Sequence, residues 1–386
     1  MSDFNHWFPR QRVLHRRGAI ADLPGLLQEI GVTRPLVVCS RRAQNDAHLQ
    51  STLARFPTDL VAVFAGVEPH APLPGAIAGA AQARAHRCDG IVAYGGGSAS
   101  DLAKGIALAL AEGDAIERFA IRRERGAVVG EPSHSAKVPI VALPNTFSGA
   151  EITPGFSLTR PDGYKVLFRD PALAAQLILL DPDLIEDVPV RVLAGSAMNA
   201  LAHCFEACYS RARTPISDLL ALDGLHRLWR GLDTRLDQGD GAEELLLGSY
   251  LAGAAIVNAR TALHHSICHK LGPMAQLSHG EVNSLVLPHA LAFNLPHCPA
   301  ETARIARTLG IDSTPNDTDA QVHEICTRLR AYAQRAGLPQ RLRDTAMRRE
   351  QMSELASRVM AEPGLTFNPR PIDSPALIEQ MLAPAW

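Results

Sequence analysis

The chain has 386 residues, 46% hydrophobic and 20% charged, with a formal net charge of -2. That composition suits a globular protein of two domains or one large one, with a core that needs no disulfides. It offers no global attraction to nucleic acid or to an anionic membrane. Seven cysteines (Cys39, Cys88, Cys204, Cys208, Cys268, Cys298 and Cys326) are odd in number and contain no Cys-x-x-Cys pair. This argues against a disulfide scaffold or zinc knuckle and for a reducing, cytoplasmic compartment. Residues 1–17 have no apolar signal core, and no run is long enough to span a bilayer, so no membrane partner is expected.

In chain order, short β-branched runs read as strands: PLVVC (35–39), LVAVF (60–64), GIVAY (90–94), VPIVALP (138–144) and LILLDP (177–182). Helical patterns lie between them at 19–30, 73–87 and 101–112. Such alternation predicts a parallel sheet covered by helices, with strands buried as continuous apolar runs. The Arg-rich stretch 121–137 reads as a solvated surface connection. From 184 onward the pattern is helical throughout. The expected organisation is an α/β domain over 1–183 and an all-α domain over 184–386.

Gly95, Gly96, Gly97 and Ser98 stand between the strand GIVAY and a helix that Asp101 is expected to cap. Glycines allow a sharp turn and close approach of backbone to a ligand, and a helix N-terminus favours an anion such as a pyrophosphate. The alternative is a tight turn without a ligand. A second polar turn, with Asn145, Thr146, Ser148 and Gly149, follows the strand VPIVAL. Ligands of open α/β sheets sit at the carboxyl ends of strands, so the two turns together point to a dinucleotide. After PLVVC come Ser40, Arg41 and Arg42, with no acid to hold a ribose 2′-hydroxyl. This leans towards NADPH or dual use, against the alternative of a solvated basic surface.

Of fifteen histidines, those in LHHSICHKLGPMAQLSHG stand out. His265 and His269 share a helix face, and His279 follows a break expected at Gly272-Pro273. Upstream, Asn199 and His203 are again four apart. Pairs at this spacing on facing helices are how bundles build metal and catalytic sites, and neutral imidazoles suit Zn²⁺ or Fe²⁺. Each histidine taken alone also fits an ordinary structural role. Cys204, Cys208 and Cys268 read as small buried residues.

These segments, in order over nearly the whole chain, resemble the iron-containing (group III) alcohol dehydrogenases. GGGSASDLAK, PNTFSGAEIT, GSAMNALAHCFEA and the segment from LHHSICHK to HALAFN carry the resemblance. His264-His265, GYKVLFRDP (163–171) and NPRPI (368–372) are most similar to the maleylacetate reductase branch. The resemblance implies an iron-alcohol-dehydrogenase or dehydroquinate synthase-like architecture, with a dinucleotide-binding α/β domain and a helical domain. It implies cofactor contacts at Gly96, Gly97, Ser98, Asp101, Thr146 and Ser148, and Ser40, Gly95, Asn145 and Lys165 are further cofactor-binding candidates. It implies metal ligands at Asn199, His203, His265 and His279, with His269 as a proton relay beside the nicotinamide. His265 and His203 are further catalytic candidates. Asn199 stands where the dehydrogenases carry an aspartate, which predicts weak binding of Fe²⁺ or Zn²⁺.

The implied activity is NAD(P)H-dependent reduction of a carbonyl or oxo-acid substrate by hydride transfer, in a homodimer. A carboxylated substrate needs cationic partners, for which Lys165, Arg169 and protonated His264 are candidates. The alternatives are a metal-dependent dehydrogenase of other alcohols or aldehydes, a dehydroquinate synthase-like lyase, and a nucleotide-binding protein without catalysis.

Overall fold

The computed structural model describes residues 3–124, 127–311 and 317–386. The chain divides into two units, Phe8–Asp187 and a second made of Met1–Trp7 with Val188–Trp386. The N-terminal segment goes with the helical unit because its polar groups are satisfied there. Trp7 N–H donates to Asn258 Oδ1 at 2.7 Å, and the His6 ring is bonded to Thr214 Oγ1 at 2.9 Å.

The first unit contains β1 (Arg12–His15), β2 (Pro35–Val38), β3 (Ala62–Phe64), β4 (Gly90–Gly95), β7 (Ile140–Pro144) and β10 (Leu177–Leu180) in one sheet, ordered β1-β10-β7-β4-β2-β3. Every pairing in it is parallel. Helices α1 (Leu23–Glu29), α2 (Ala47–Leu53), α3 (Leu73–Ala85) and α4 (Gly97–Glu112) connect the strands. All residues of β2 and β10 are buried, as continuous apolar runs demand when both sheet faces are covered.

Three features differ from the sequence pattern. The RVLH run of β1 mixes charge with apolar residues, as an edge strand allows, and so does not read as a strand. The stretch 121–137 holds an antiparallel hairpin of β5 (Arg122–Glu124) and β6 (Ala127–Val129), while Arg125 and Gly126 lie outside the described residues. It is also not solvated at its far end, where Lys137 is buried between Glu112 at 3.5 Å and Asp170 at 3.6 Å. A further hairpin, β8 (Gly155–Thr159) with β9 (Lys165–Arg169), buries alternate residues around the stacked rings of Phe156 and Phe168.

The second unit contains α5 (Val190–Tyr209), α6 (Pro215–Gln238), α7 (Ala242–Ala259), α8 (Leu263–Ala275), α9 (His279–Asn294), α10 (Pro299–Thr308), α11 (Thr318–Arg335), α12 (Met352–Val359) and α13 (Pro375–Leu382). Among the described residues no helix is long and apolar enough to cross a membrane. The expected break at Gly272-Pro273 does not occur, and α8 runs through Pro273. The chain turns three residues later, where Gln276 adopts φ 53°. Ser278 then caps α9 in a reciprocal box with Glu281, which makes His279 the first residue of that helix.

Candidate active site

The nucleotide candidates collect at the carboxyl ends of β2, β4 and β7, which are neighbours in the sheet. The order of strands reverses between β2 and β4, the switch point where open α/β sheets bind ligands. Gly95 has φ 142°, a region that favours glycine, and a Cβ there would lie 3.0 Å from that of Ala99. The two turns are packed on each other. A Cβ on Gly96 would meet Thr146 Oγ1 at 2.5 Å, and one on Gly97 would meet Ser148 Oγ at 3.1 Å. Asn145 N–H donates to the Gly95 carbonyl at 3.3 Å, which extends the β4–β7 pairing into the turns.

No side chain caps α4, and the Ala99 and Ser100 amides donate to the Gly96 carbonyl at 2.9 and 3.2 Å, which makes Gly97 and Ser98 N–H the candidate donors for an anion. Asp101 is not the cap, because α4 begins at Gly97 and Asp101 falls in its second turn. Its carboxylate instead accepts Ser157 N–H at 3.1 Å, and burial raises its pKa. Ser40 Oγ accepts Ala43 N–H at 3.1 Å and so closes the turn after β2, beside exposed Arg41 and Arg42. Lys165 opens β9, where it feels the charge of Asp101, and Arg169 closes the same strand.

In the helical unit α5, α8 and α9 bring the histidines together. The His203 and His265 rings stack with centroids 4.6 Å apart, and those of His269 and His279 each lie 6.3 Å from His265. Glycine permits this approach, since a Cβ on Gly280 would sit 2.8 Å from the backbone of Gly195. Asn199 Oδ1 is 3.2 Å from His265 Nε2. His264 is not the cationic partner expected for a carboxylate. It is fully buried, its Nε2 pairs with Asn283 Oδ1 at 2.8 Å, and burial lowers its pKa.

Two carboxylates at this cluster escape a reading based on histidines. Glu206, fully buried on α5, places Oε2 2.5 Å from His265 Nδ1 and accepts the His265 backbone N–H at 3.4 Å. Its signal was present, for Glu206 lies three residues after His203 and seven after Asn199, on one helix face. Glu362 lies 3.0 Å from His269 Nδ1 and 2.7 Å from Lys270 Nζ, which lowers its pKa despite burial. No local pattern links it to His269, 93 residues away. A close approach brings that segment in, since a Cβ on Gly364 would meet Ser266 Oγ at 2.6 Å. The NPRPI motif is structural here. Buried Asn368 accepts Leu263 N–H at 3.3 Å, at the start of α8, and pairs through both amide atoms with Asn294.

Burial dictates the protonation of this cluster. It holds the His203 and His265 imidazoles well below their ordinary pKa and pushes the Glu206 carboxyl up to about 7. A neutral arrangement satisfies both nitrogens of the His265 ring, with Glu206 donating to Nδ1 and Nε2–H donating to Asn199 Oδ1. His265 then presents a proton rather than a lone pair. Buried His203 Nδ1 has no hydrogen-bond partner among the described residues.

The comparisons with known proteins cover both units. The model described as "Iron-containing alcohol dehydrogenase" matches residues 9–182, and "Fe-containing alcohol dehydrogenase family, C-terminal" matches 193–386. The chain belongs to the iron-containing alcohol dehydrogenase family. It is an NAD(P)-dependent oxidoreductase with the two-part fold of that family. Maleylacetate reductase of Burkholderia cepacia is 30% identical over 95% of this chain and 93% of its own. A crystal structure of maleylacetate reductase from Agrobacterium tumefaciens superposes with TM-score 0.81 at 27% identity, over 100% of this chain and 99% of that one. The structure of a 1,3-propanediol oxidoreductase gives TM-score 0.90 at 26% identity, with both chains fully covered. Membership in this family of oxidoreductases sets aside the lyase alternative.

The family takes its name from iron, and the donor set of this chain can be tested against it. The candidate ligands are three imidazoles and a neutral amide, without the carboxylate that would offset a divalent charge. Among the described residues no three His, Cys, Asp or Glu side chains are grouped to hold an ion. Three imidazoles with an open position are a known donor set for zinc, so His203, His265 and His279, with Asn199 beside them, are the residues that would hold a divalent ion here, weakly for want of a carboxylate.

Proposed function

We propose that the enzyme reduces an oxo acid of the maleylacetate type with NADH or NADPH. The similarity to maleylacetate reductases over nearly the whole chain carries the reading. The neutral Asn199 beside a Glu206-backed His265 supports it. The turns of the first unit, with Gly96, Gly97, Ser98, Thr146 and Ser148, bind the nucleotide pyrophosphate through backbone and hydroxyl donors. NAD(P)H supplies a hydride. Negative charge then builds on the substrate's ketone oxygen, whether hydride adds to that carbonyl or to a conjugated carbon–carbon double bond.

His265 Nε2–H turns from Asn199 Oδ1 to stabilise this oxygen, with Glu206 fixing the ring through Nδ1. His269, exposed and paired with Glu362, delivers a proton from solvent. Lys165 and Arg169 are the candidate partners for a substrate carboxylate. The working form is read as a homodimer in the cytoplasm, where its seven free cysteines stay reduced.

The deciding experiment follows oxidation of NADH and NADPH with maleylacetate, other oxo acids and simple aldehydes, with and without chelator. Turnover of the conjugated oxo acid that survives chelation is expected. Turnover confined to aldehydes or simple alcohols would favour the other reading, an alcohol dehydrogenase like the 1,3-propanediol oxidoreductase neighbour. Activity lost to chelator and restored by Fe²⁺ or Zn²⁺ would place the metal on Asn199, His203, His265 and His279.

A further inference from the structure

Lys104 is almost wholly buried, 1% exposed, on the inner face of α4. Its ammonium faces no hydrogen-bonded carboxylate. It donates instead to three backbone carbonyls, those of Ala150 at 2.6 Å, Thr153 at 2.8 Å and Gly155 at 3.2 Å. These carbonyls lie in the loop that leaves the second polar turn and enters β8. The single hydroxyl proton of Thr153 lies between two of the same carbonyls, with Oγ1 2.9 Å from Gly155 O and 3.3 Å from Ala150 O. The lysine and the threonine together draw that loop into a tight ring.

Burying an ammonium is costly unless every proton finds an acceptor. Here all three do, and Asp101 and Glu151 add favourable charge nearby while desolvation pulls the lysine pKa down. A core built only for stability would place an apolar side chain at this position. Cationic anchoring of carbonyls has a different consequence. The N-terminus of the same helix carries Gly97 and Ser98, and Gly97 already packs against Ser148. A tether seven residues along α4 fixes the other end of that contact.

We propose that Lys104 is a positioning residue for nucleotide binding, its three hydrogen bonds holding the 145–155 segment against α4 so that both turns keep their donors in register. The proposal rests on the reading of these turns as the nucleotide site.

The test is direct titration of the full-length enzyme with NADH and with NADPH, followed by steady-state kinetics. Lys104→Met keeps the stem and removes the donors. It should raise both nucleotide Kd values by about tenfold or more, the effect of leaving buried carbonyls unpaired. The kcat at saturating nucleotide and the KM for the oxo acid should hold within about threefold. Lys104→Arg, which restores charge and donors, should recover part of the lost affinity. Thr153→Val, a milder change, should weaken binding in the same direction by about two- to fourfold, and it decides the matter if Lys104→Met does not fold. Unchanged nucleotide Kd in a folded Lys104→Met, or equal losses in kcat and in both KM values, would overturn the proposal. Gly97→Val separates the two readings. If it too leaves the Kd unchanged, the turns are not the nucleotide site; if it weakens binding while Lys104→Met does not, the role of Lys104 alone is wrong.

Discussion

The candidate nucleotide turns around Gly95–Gly97 are made of backbone, whereas the candidate cluster around His265 is made of side chains, buried at Asn199, Glu206 and His265 and exposed at His269 and His279. The first needs glycines, a helix start and two adjacent strand ends, all specified within a few residues of each other. The second draws Asn199, His203 and Glu206 from α5, His265 and His269 from α8, and His279 from α9. A backbone site tolerates solvent because its donors are already aligned. A side-chain site in the core must satisfy every polar atom or lose stability. The nucleotide turns should therefore fail by steric crowding, and the histidine cluster by loss of a proton or of an orienting partner.

The largest effect that would sharpen this contrast is expected from His265→Ala. If Nε2–H stabilises the developing oxyanion, kcat should fall by about 10²- to 10⁴-fold with nucleotide Kd unchanged in titrations. Activity near wild type would remove His265 from the chemistry. Next comes Glu206→Ala, which frees the His265 ring without touching substrate. A loss of about 10- to 100-fold in kcat is expected, the usual cost of an orienting partner. Gln at the same position should retain more activity, because it can still donate to Nδ1.

On the other side of the contrast, Gly97→Val drives a side chain into Ser148. Nucleotide KM should rise about tenfold while kcat at saturation changes little, the reverse of the His265 pattern. If both variants lowered kcat alone, the division between backbone and side-chain sites would collapse.

The smallest expected effect concerns pH. Glu151 is buried under the second turn, and burial pushes its carboxyl up to about 7. Between the ordinary carboxyl range and that value, the unfolded chain has released a proton that the native state still holds. Stability therefore falls as pH rises through this window. Glu151→Gln should flatten the fall and raise the melting temperature by a few degrees at pH 8, with little change at pH 5. Thermal melts at the two pH values check it, and equal shifts at both would refute the assignment. Glu206, raised by the same cause, contributes to the same window and is left in place in this variant.

Much of this could be read from residues in order. Continuous apolar runs specify β2, β4, β7 and β10, because a strand buried on both faces has no other pattern available. Gly95, Gly96 and Gly97, from the end of β4 to the start of α4, mark the candidate anion-binding turn, because few other residues permit such a path. Four-residue spacing places His265 beside His269 and Asn199 beside His203. These signals are local, and local sequence determines them. Glu362, Lys104 and the neutral state of His264 were not legible, since each depends on what the folded chain brings near. Burial turned His264 from a candidate cation into a hydrogen-bonded core residue. Packing carried α8 through Pro273 and set the turn at Gln276. Tertiary structure also chose Glu206 as the partner of His265, because the protonation of both groups follows from their shared removal from water.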